Sequence, residues 1–228
     1  MYVTDGRHGS DDIPPEELVE IRREEARKER ALLGIQDSIE LGVEDGSAGR
    51  LRGQELEALK QRVASVVVAT KVHLIVMPSR SDMHPDHRAT HDLVAGVIQD
   101  LRLTPLMLKY FVWLLPDFYR KLPDVAQRVL MVGIDPEMAG KLAAIRSHQS
   151  QVSRGLFDTM AESLNAYLAC AFRAMDTMGT RYVEVIGLNG VEHNHRETQA
   201  LIKALEPCAD ITGVLHGRAS ERIGVQLQ

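Results

Sequence analysis

The residue types best suited to chemistry lie in one stretch, Val72 to Val94, which reads VHLIVMPSRSDMHPDHRATHDLV. An apolar run, Leu74 to Met77, ends at Pro78, a polar loop follows, and a helical pattern begins near His87. In open α/β sheets ligands sit beyond the carboxyl ends of strands, so His84-Pro85-Asp86-His87 falls where a binding crevice is expected. Two imidazoles around a Pro-Asp turn suit metal binding and acid–base work. His87, at the helix start, can ligate a metal. His84, one turn away, can polarise a carbonyl or donate a proton. Asp86 can orient an imidazole by accepting its second N–H.

The other histidines read differently. His91 follows His87 at i+4, but Arg88 stands where the H-E-x-x-H pattern needs its glutamate, so His91 is expected to be a packing or surface residue. His193 and His195 sit at a helix entry and read as surface histidines; His73 reads as structural, inside a strand. No G-x-G-x-x-G, Walker A or G-x-S-x-G pattern occurs, so a dinucleotide, NTP or serine-hydrolase reading lacks its main support. Cys170 and Cys208 are far apart and read as core thiols of a reducing, cytoplasmic compartment.

These residues need a scaffold, and the sequence alternates short apolar runs with amphipathic helices. Strands read at Tyr2–Thr4, Ser38–Leu41, Val72–Pro78, Lys109–Leu115, Arg128–Ile134 and Arg181–Gly187. Helices read at about Pro14–Leu33, Gln54–Val66, His87–Leu101, Pro136–His148, Leu156–Met178 and Arg196–Leu205. The alternation predicts an α/β, Rossmann-like fold with a largely parallel sheet and helices on both faces. The stretch 207–228 is less regular and is left unassigned. The first helix has Asp11 or Asp12 as its expected cap, Pro14 and Pro15 in its first turn and Gly34 at its end. Most of its charges read as a solvated face, with Glu24–Lys28 an i,i+4 pair. Leu18, Ile21 and Leu32 define an apolar arc, and Arg22 and Glu25 fall inside it. An inward charge pair is costly unless paired or lining a cavity. Two readings stay open: a mutual salt bridge at the core rim, or the polar wall of a cleft.

Composition narrows the classes further. The 228 residues are 44% hydrophobic and 26% charged, ordinary globular proportions. With Lys+Arg 27 and Asp+Glu 32 the net charge is 27 − 32 = −5, which gives no basic footprint for nucleic acid. No apolar run nears the ~18 residues of a membrane span, and the first residues lack a secretory signal pattern.

In this order the landmarks resemble the PIG-L/LmbE-like zinc-dependent N-deacetylases. Thr4-Asp5-Gly6 with Gly9 is similar to the family's TDG segment, and Arg22-x-x-Glu25 leading to Leu33-Gly34-Ile35 to its following helix. Asp45-Gly46 resembles a DG turn, and Pro78 with His84-Pro85-Asp86-His87 the metal motif. Lys141 through His148-x-Ser150-Gln151 resembles the K…H-x-S-Q segment, and Tyr182-x-Glu184 a late Y-x-E strand. The likeness spans about residues 2–187, and the deacetylase domain is expected over 1–206. It implies His87 as a zinc ligand, His84 as oxyanion stabiliser or proton donor to the leaving amine, and Asp86 as its supporting partner. Arg22 becomes a substrate-pocket residue, with His148 and Gln151 lining or supporting that pocket. The implied activity is zinc-dependent hydrolysis of an N-acetyl group on a sugar or sugar conjugate. The alternative is a non-catalytic carbohydrate-binding or scaffold protein. A homo-oligomer is left open. One departure stands out: the family's opening HPDD-E type motif, source of two further zinc ligands and a base, has no counterpart. Roughly one strand–helix unit, ~30 residues, is expected to be missing. Asp5, His8, Asp11 and Asp12 are the available substitutes. From this, weak zinc retention and self-association are expected.

Overall fold

The computed structural model describes residues 1–112, 128–187 and 211–216. They fall into two compact units, taken in turn.

The first unit comprises residues 1–71, 84–103 and 137–163. It opens with β1 (Tyr2–Thr4), α1 (Pro15–Leu33) and β2 (Glu40–Val43). β1 and β2 pair in parallel, Tyr2 against Glu40 and Thr4 against Val43. Parallel neighbours need a crossover of a dozen residues or more, which α1 supplies. Both strands therefore end on the same side, where Asp5-Gly6 and Asp45-Gly46 emerge. Then come α2 (Gly53–Thr70), α3 (Pro85–Asp100), α4 (Met138–Arg146), α5 (Gln149–Gly155) and the first part of α6 (Phe157–Ala171). α1 packs on α4 and α5. Its buried face is Leu18, Val19, Glu25 and Ala26; fully enclosing Leu18 is worth about 2 kcal/mol. The expected arc is thus shorter than the periodicity implied, because Leu32 is exposed. Neither Asp11 nor Asp12 caps α1. The cap position is Pro14, without a side-chain hydrogen bond, and Pro15 opens the helix, where a missing N–H leaves no donor to satisfy. Gly34 closes it in the left-handed conformation, its N–H on the Arg30 carbonyl.

The second unit comprises residues 72–83, 104–136 and 164–228. Its strands are β3 (Leu74–Pro78), β4 (Leu106–Tyr110), β5 (Arg128–Gly133), β6 (Val183–Gly187) and β7 (Ile211–His216), in the order β3-β4-β6-β5-β7. β3 and β4 are parallel, with Leu74 against Leu106 and Pro78 against Tyr110. β4–β6, β5–β6 and β5–β7 are antiparallel. The α/β class holds, but this sheet is mixed rather than largely parallel. An apolar run marks a strand buried on both faces and does not encode direction. β7 lies in the stretch left unassigned from sequence. The end of α6 and the short α7 (Ala174–Met178) supply Leu168, Ala169 and Ala174, which pack on Met131, Val183 and Val185. Asn165 is buried there and donates to the Val183 carbonyl at 2.7 Å, satisfying an amide that would otherwise be costly.

The single helix expected over Leu156–Met178 is broken at Arg173, which takes a positive φ between α6 and α7. Cys170 is exposed, not a core thiol, because it falls on the outer side of α6, one residue from buried Ala169. Cys208, His193, His195 and the helix expected at Arg196–Leu205 lie outside the described residues. No helix among the described residues is long and apolar enough to cross a membrane.

Candidate functional site

Four segments of the first unit converge beyond the ends of β1 and β2. Asp5 continues the ladder through its N–H to the Val43 carbonyl at 2.9 Å. Its carboxylate accepts from the Arg7 backbone and guanidinium, at 3.2 and 2.8 Å, and from the Asp45 N–H at 3.2 Å. One side chain thus ties the TDG loop to the DG turn. The DG turn is tied in turn to α3: the Asp86 carboxylate accepts from Gly46 N–H at 2.6 Å and Ala48 N–H at 3.1 Å. Asp86 is therefore buried and satisfied by backbone rather than by an imidazole. It ties the HPDH turn to the DG turn.

His84 caps α3, its Nδ1 accepting the Asp86 N–H at 3.3 Å. That bond leaves the proton of a neutral ring on Nε2. The rings of His84 and His87 lie 4.8 Å apart, centroid to centroid. His91, one turn on, is buried, in line with a packing role. The loop acids are engaged elsewhere: Asp5 as above, and Glu44 with His8 at 3.0 Å. Among the described residues no three His, Cys, Asp or Glu side chains gather in a way that could hold a metal ion. A catalytic zinc normally takes three protein ligands. These residues offer His87 with His84 beside it, and they do not fit a complete zinc centre.

The second half of the site is built on α1. Arg22 Nη1 donates to Glu25 Oε2 at 3.3 Å and to His148 Nδ1 at 3.1 Å. The Arg22–Glu25 pair forms the salt bridge that one reading expected, and Arg22 also reaches a histidine far along the chain. Glu25 also accepts the Ser150 N–H and Oγ–H, each at 2.7 Å. A buried carboxylate with three donors is well satisfied. His148 Nε2 meets Glu29 at 3.1 Å, and Tyr2 donates its hydroxyl to the same carboxylate at 3.1 Å. The hydrogen bond to His148 holds the Glu29 carboxyl below its ordinary value, against the opposing effect of burial. Gly6, with φ 69°, lies against the Arg22 side chain; a Cβ there would sit 3.0 Å from Nε. Gln151 donates to the Gly9 carbonyl at 2.9 Å, so it supports the loop that borders Arg22.

Arg22, His148 and Gln151 are thus brought together, and His84, Asp86 and His87 together. Glu29 escaped the sequence reading because it looked like one more charge of a solvated face. A separate cleft of about 440 Å³ has Leu51, Leu59, Pro85 and Leu93 among its lining and includes none of the expected site residues.

Comparison with known proteins bears on this arrangement. The PIG-L family model, described as GlcNAc-PI de-N-acetylase, matches residues 1–98. A comparison with curated proteins finds no match. Among solved structures, an N,N'-diacetylchitobiose deacetylase from Pyrococcus horikoshii is 23% identical, with a TM-score of 0.58 over 81% of this chain and 69% of that one. The 4-carboxy-2-hydroxymuconate hydratase GalB of Pseudomonas putida is 14% identical, with a TM-score of 0.60 over 83% and 82%. A zinc-inhibited form of the teicoplanin deacetylase Orf2 is 13% identical, with a TM-score of 0.52 over 80% and 79%. At these identities the likeness is one of fold, and proteins described as deacetylases and as a hydratase share it.

Proposed function

From the match of residues 1–98 to the PIG-L family model, we propose that this chain belongs to that family and acts on an N-acetylated sugar or sugar conjugate, hydrolysing its amide. The observation that carries the reading is the Arg22–Glu25–His148–Ser150 network, which joins α1 to residues more than 120 positions away. Nothing in ordinary core packing asks for an arginine, a carboxylate and an imidazole at that place. A guanidinium held by Glu25 and His148 suits sugar hydroxyls or a phosphate-bearing conjugate.

The residues have distinct roles in this reading. Arg22, with His148 behind it, binds and orients the substrate. Gln151 supports the wall through Gly9. His84, with its proton on Nε2, donates to the acetyl oxygen as charge develops there, or to the departing amine. Asp86 holds the turn that aims His84 and His87. Zinc, when bound in this family, supplies an activated water; His87 is the residue proposed to ligate it. A second reading, carbohydrate binding without hydrolysis, is favoured by the engagement of Asp5 and Glu44 in the first unit's own contacts.

The test is acetate release from N-acetylglucosamine conjugates, with bound zinc measured in parallel after dialysis. The wild-type chain is expected to retain less than one zinc per chain. His87→Ala lowers both metal and turnover. His84→Ala leaves the metal and lowers turnover by ~10²–10³, the usual cost of losing one oxyanion donor. Metal lost in His84→Ala and kept in His87→Ala reverses the assignment. No acetate release under any metal loading, with sugar binding intact, selects the second reading.

A further inference from the structure

We infer that Glu29 is a positioning residue for the Arg22 pocket, holding His148 in the Nε2–H tautomer so that its Nδ1 can receive the guanidinium. The inference rests on the proposed reading of Arg22 as a substrate-pocket residue. The logic starts from the chemistry of the donors. A guanidinium has N–H groups and no acceptor. The 3.1 Å contact between Arg22 Nη1 and His148 Nδ1 is therefore a hydrogen bond only if Nδ1 carries a lone pair. A neutral imidazole then has its proton on Nε2, and Nε2 faces Glu29 at 3.1 Å. Glu29 is the acceptor there among the described residues, and it is itself fixed by the Tyr2 hydroxyl. Each contact then pairs a donor with an acceptor: Glu29 accepts from Tyr2 and His148, Arg22 donates to His148 and Glu25, and Glu25 accepts from Ser150.

The consequence falls on Arg22. Its Nη1 is shared between His148 and Glu25, and its stem is backed by Gly6. Among the described residues the Nη2 edge meets no other side chain, and the side chain as a whole is a quarter exposed. That edge is the one presented to a substrate oxygen. If His148 takes the other tautomer, two N–H groups confront each other, Nη1 lets go, and the guanidinium turns. Glu29 touches no substrate atom in this account. It acts through His148, as the third group of a triad acts through its imidazole.

The experiment reads the tautomer directly. Imidazole nitrogen shifts of His148 are recorded by NMR in wild type, Glu29→Gln, Glu29→Leu and Tyr2→Phe, with thermal melts as a folding control. The Nε2–H form is expected in wild type, in Tyr2→Phe and in Glu29→Gln, whose amide oxygen still accepts. Glu29→Leu should populate the Nδ1–H form and weaken N-acetylglucosamine binding about tenfold, the scale of one hydrogen bond. Glu29→Gln should restore both. If Glu29→Leu melts as wild type does and keeps the Nε2–H form, the inference is overturned. If the tautomer changes and sugar binding does not, the positioning of the guanidinium stands while the substrate-pocket reading falls.

Discussion

The Arg22 wall and the HPDH turn lie in the same unit and use the same residue types, yet they are built in opposite ways. The wall gathers side chains from distant parts of the chain onto each other: Arg22, Glu25 and Glu29 from α1 meet His148 and Ser150 from the α4–α5 region. The turn gathers its histidines from one local stretch and commits its carboxylate to backbone amides of the neighbouring DG turn. A wall of this kind is complete in its own contacts and presents one face of a cation. The turn presents imidazoles and stands without a third ligand among the described residues. Under the proposed function, recognition falls to the wall and chemistry to the turn, and the two can be tested apart.

The largest effect on stability should come from the wall. Glu25→Ala removes the acceptor shared by Arg22 and two Ser150 donors, leaving the guanidinium its His148 contact alone. The expected loss is about 3 kcal/mol, read as a lower urea midpoint at unchanged slope. Asp86→Ala strands two amide donors but no charge, so about 1–3 kcal/mol is expected, together with a displaced HPDH turn. An Asp86 variant more damaging than the Glu25 variant would break the comparison, since the turn would then be the better-buttressed region.

A smaller effect sharpens it. His148 holds the Glu29 carboxyl below its ordinary value of 4.5. A carboxyl depressed in the folded state contributes stability that is present above its unfolded value and lost as pH falls through the folded one. Acid titration of stability should therefore show a shallower loss below the ordinary carboxylate value in Glu29→Gln than in wild type. Equal acid limbs would mean that His148 does not hold the Glu29 carboxyl down.

Much of this was legible in the residues, and the failures have physical causes. HPDH, the TDG and DG turns and Gly34 are local, set by strand ends and turn chemistry, so their neighbourhood can be read from spacing. Arg22 and Glu25 stood out because charge inside an apolar arc demands a partner. Glu29 did not, because its partner is His148, 119 positions away, and a helix dense in charge hides one useful carboxylate among many. The backbone contacts of Asp86 were not legible either, because its donors are the amides of Gly46 and Ala48, about 40 positions away in sequence. Strand direction was invisible for a related reason: β5 and β6 are apolar whichever way they run, and only the register shows them antiparallel.

Binding of an N-acetylglucosamine conjugate to wild type and to Arg22→Met, measured by calorimetry in the absence of added metal, tests the wall as a recognition site. Arg22→Met keeps the stem and removes the charge. Saturable binding by wild type that is weakened by tenfold or more in the variant, a loss of about 1.4 kcal/mol, is the predicted result. Equal affinity in the two proteins, or no binding by a folded wild-type chain, would contradict it.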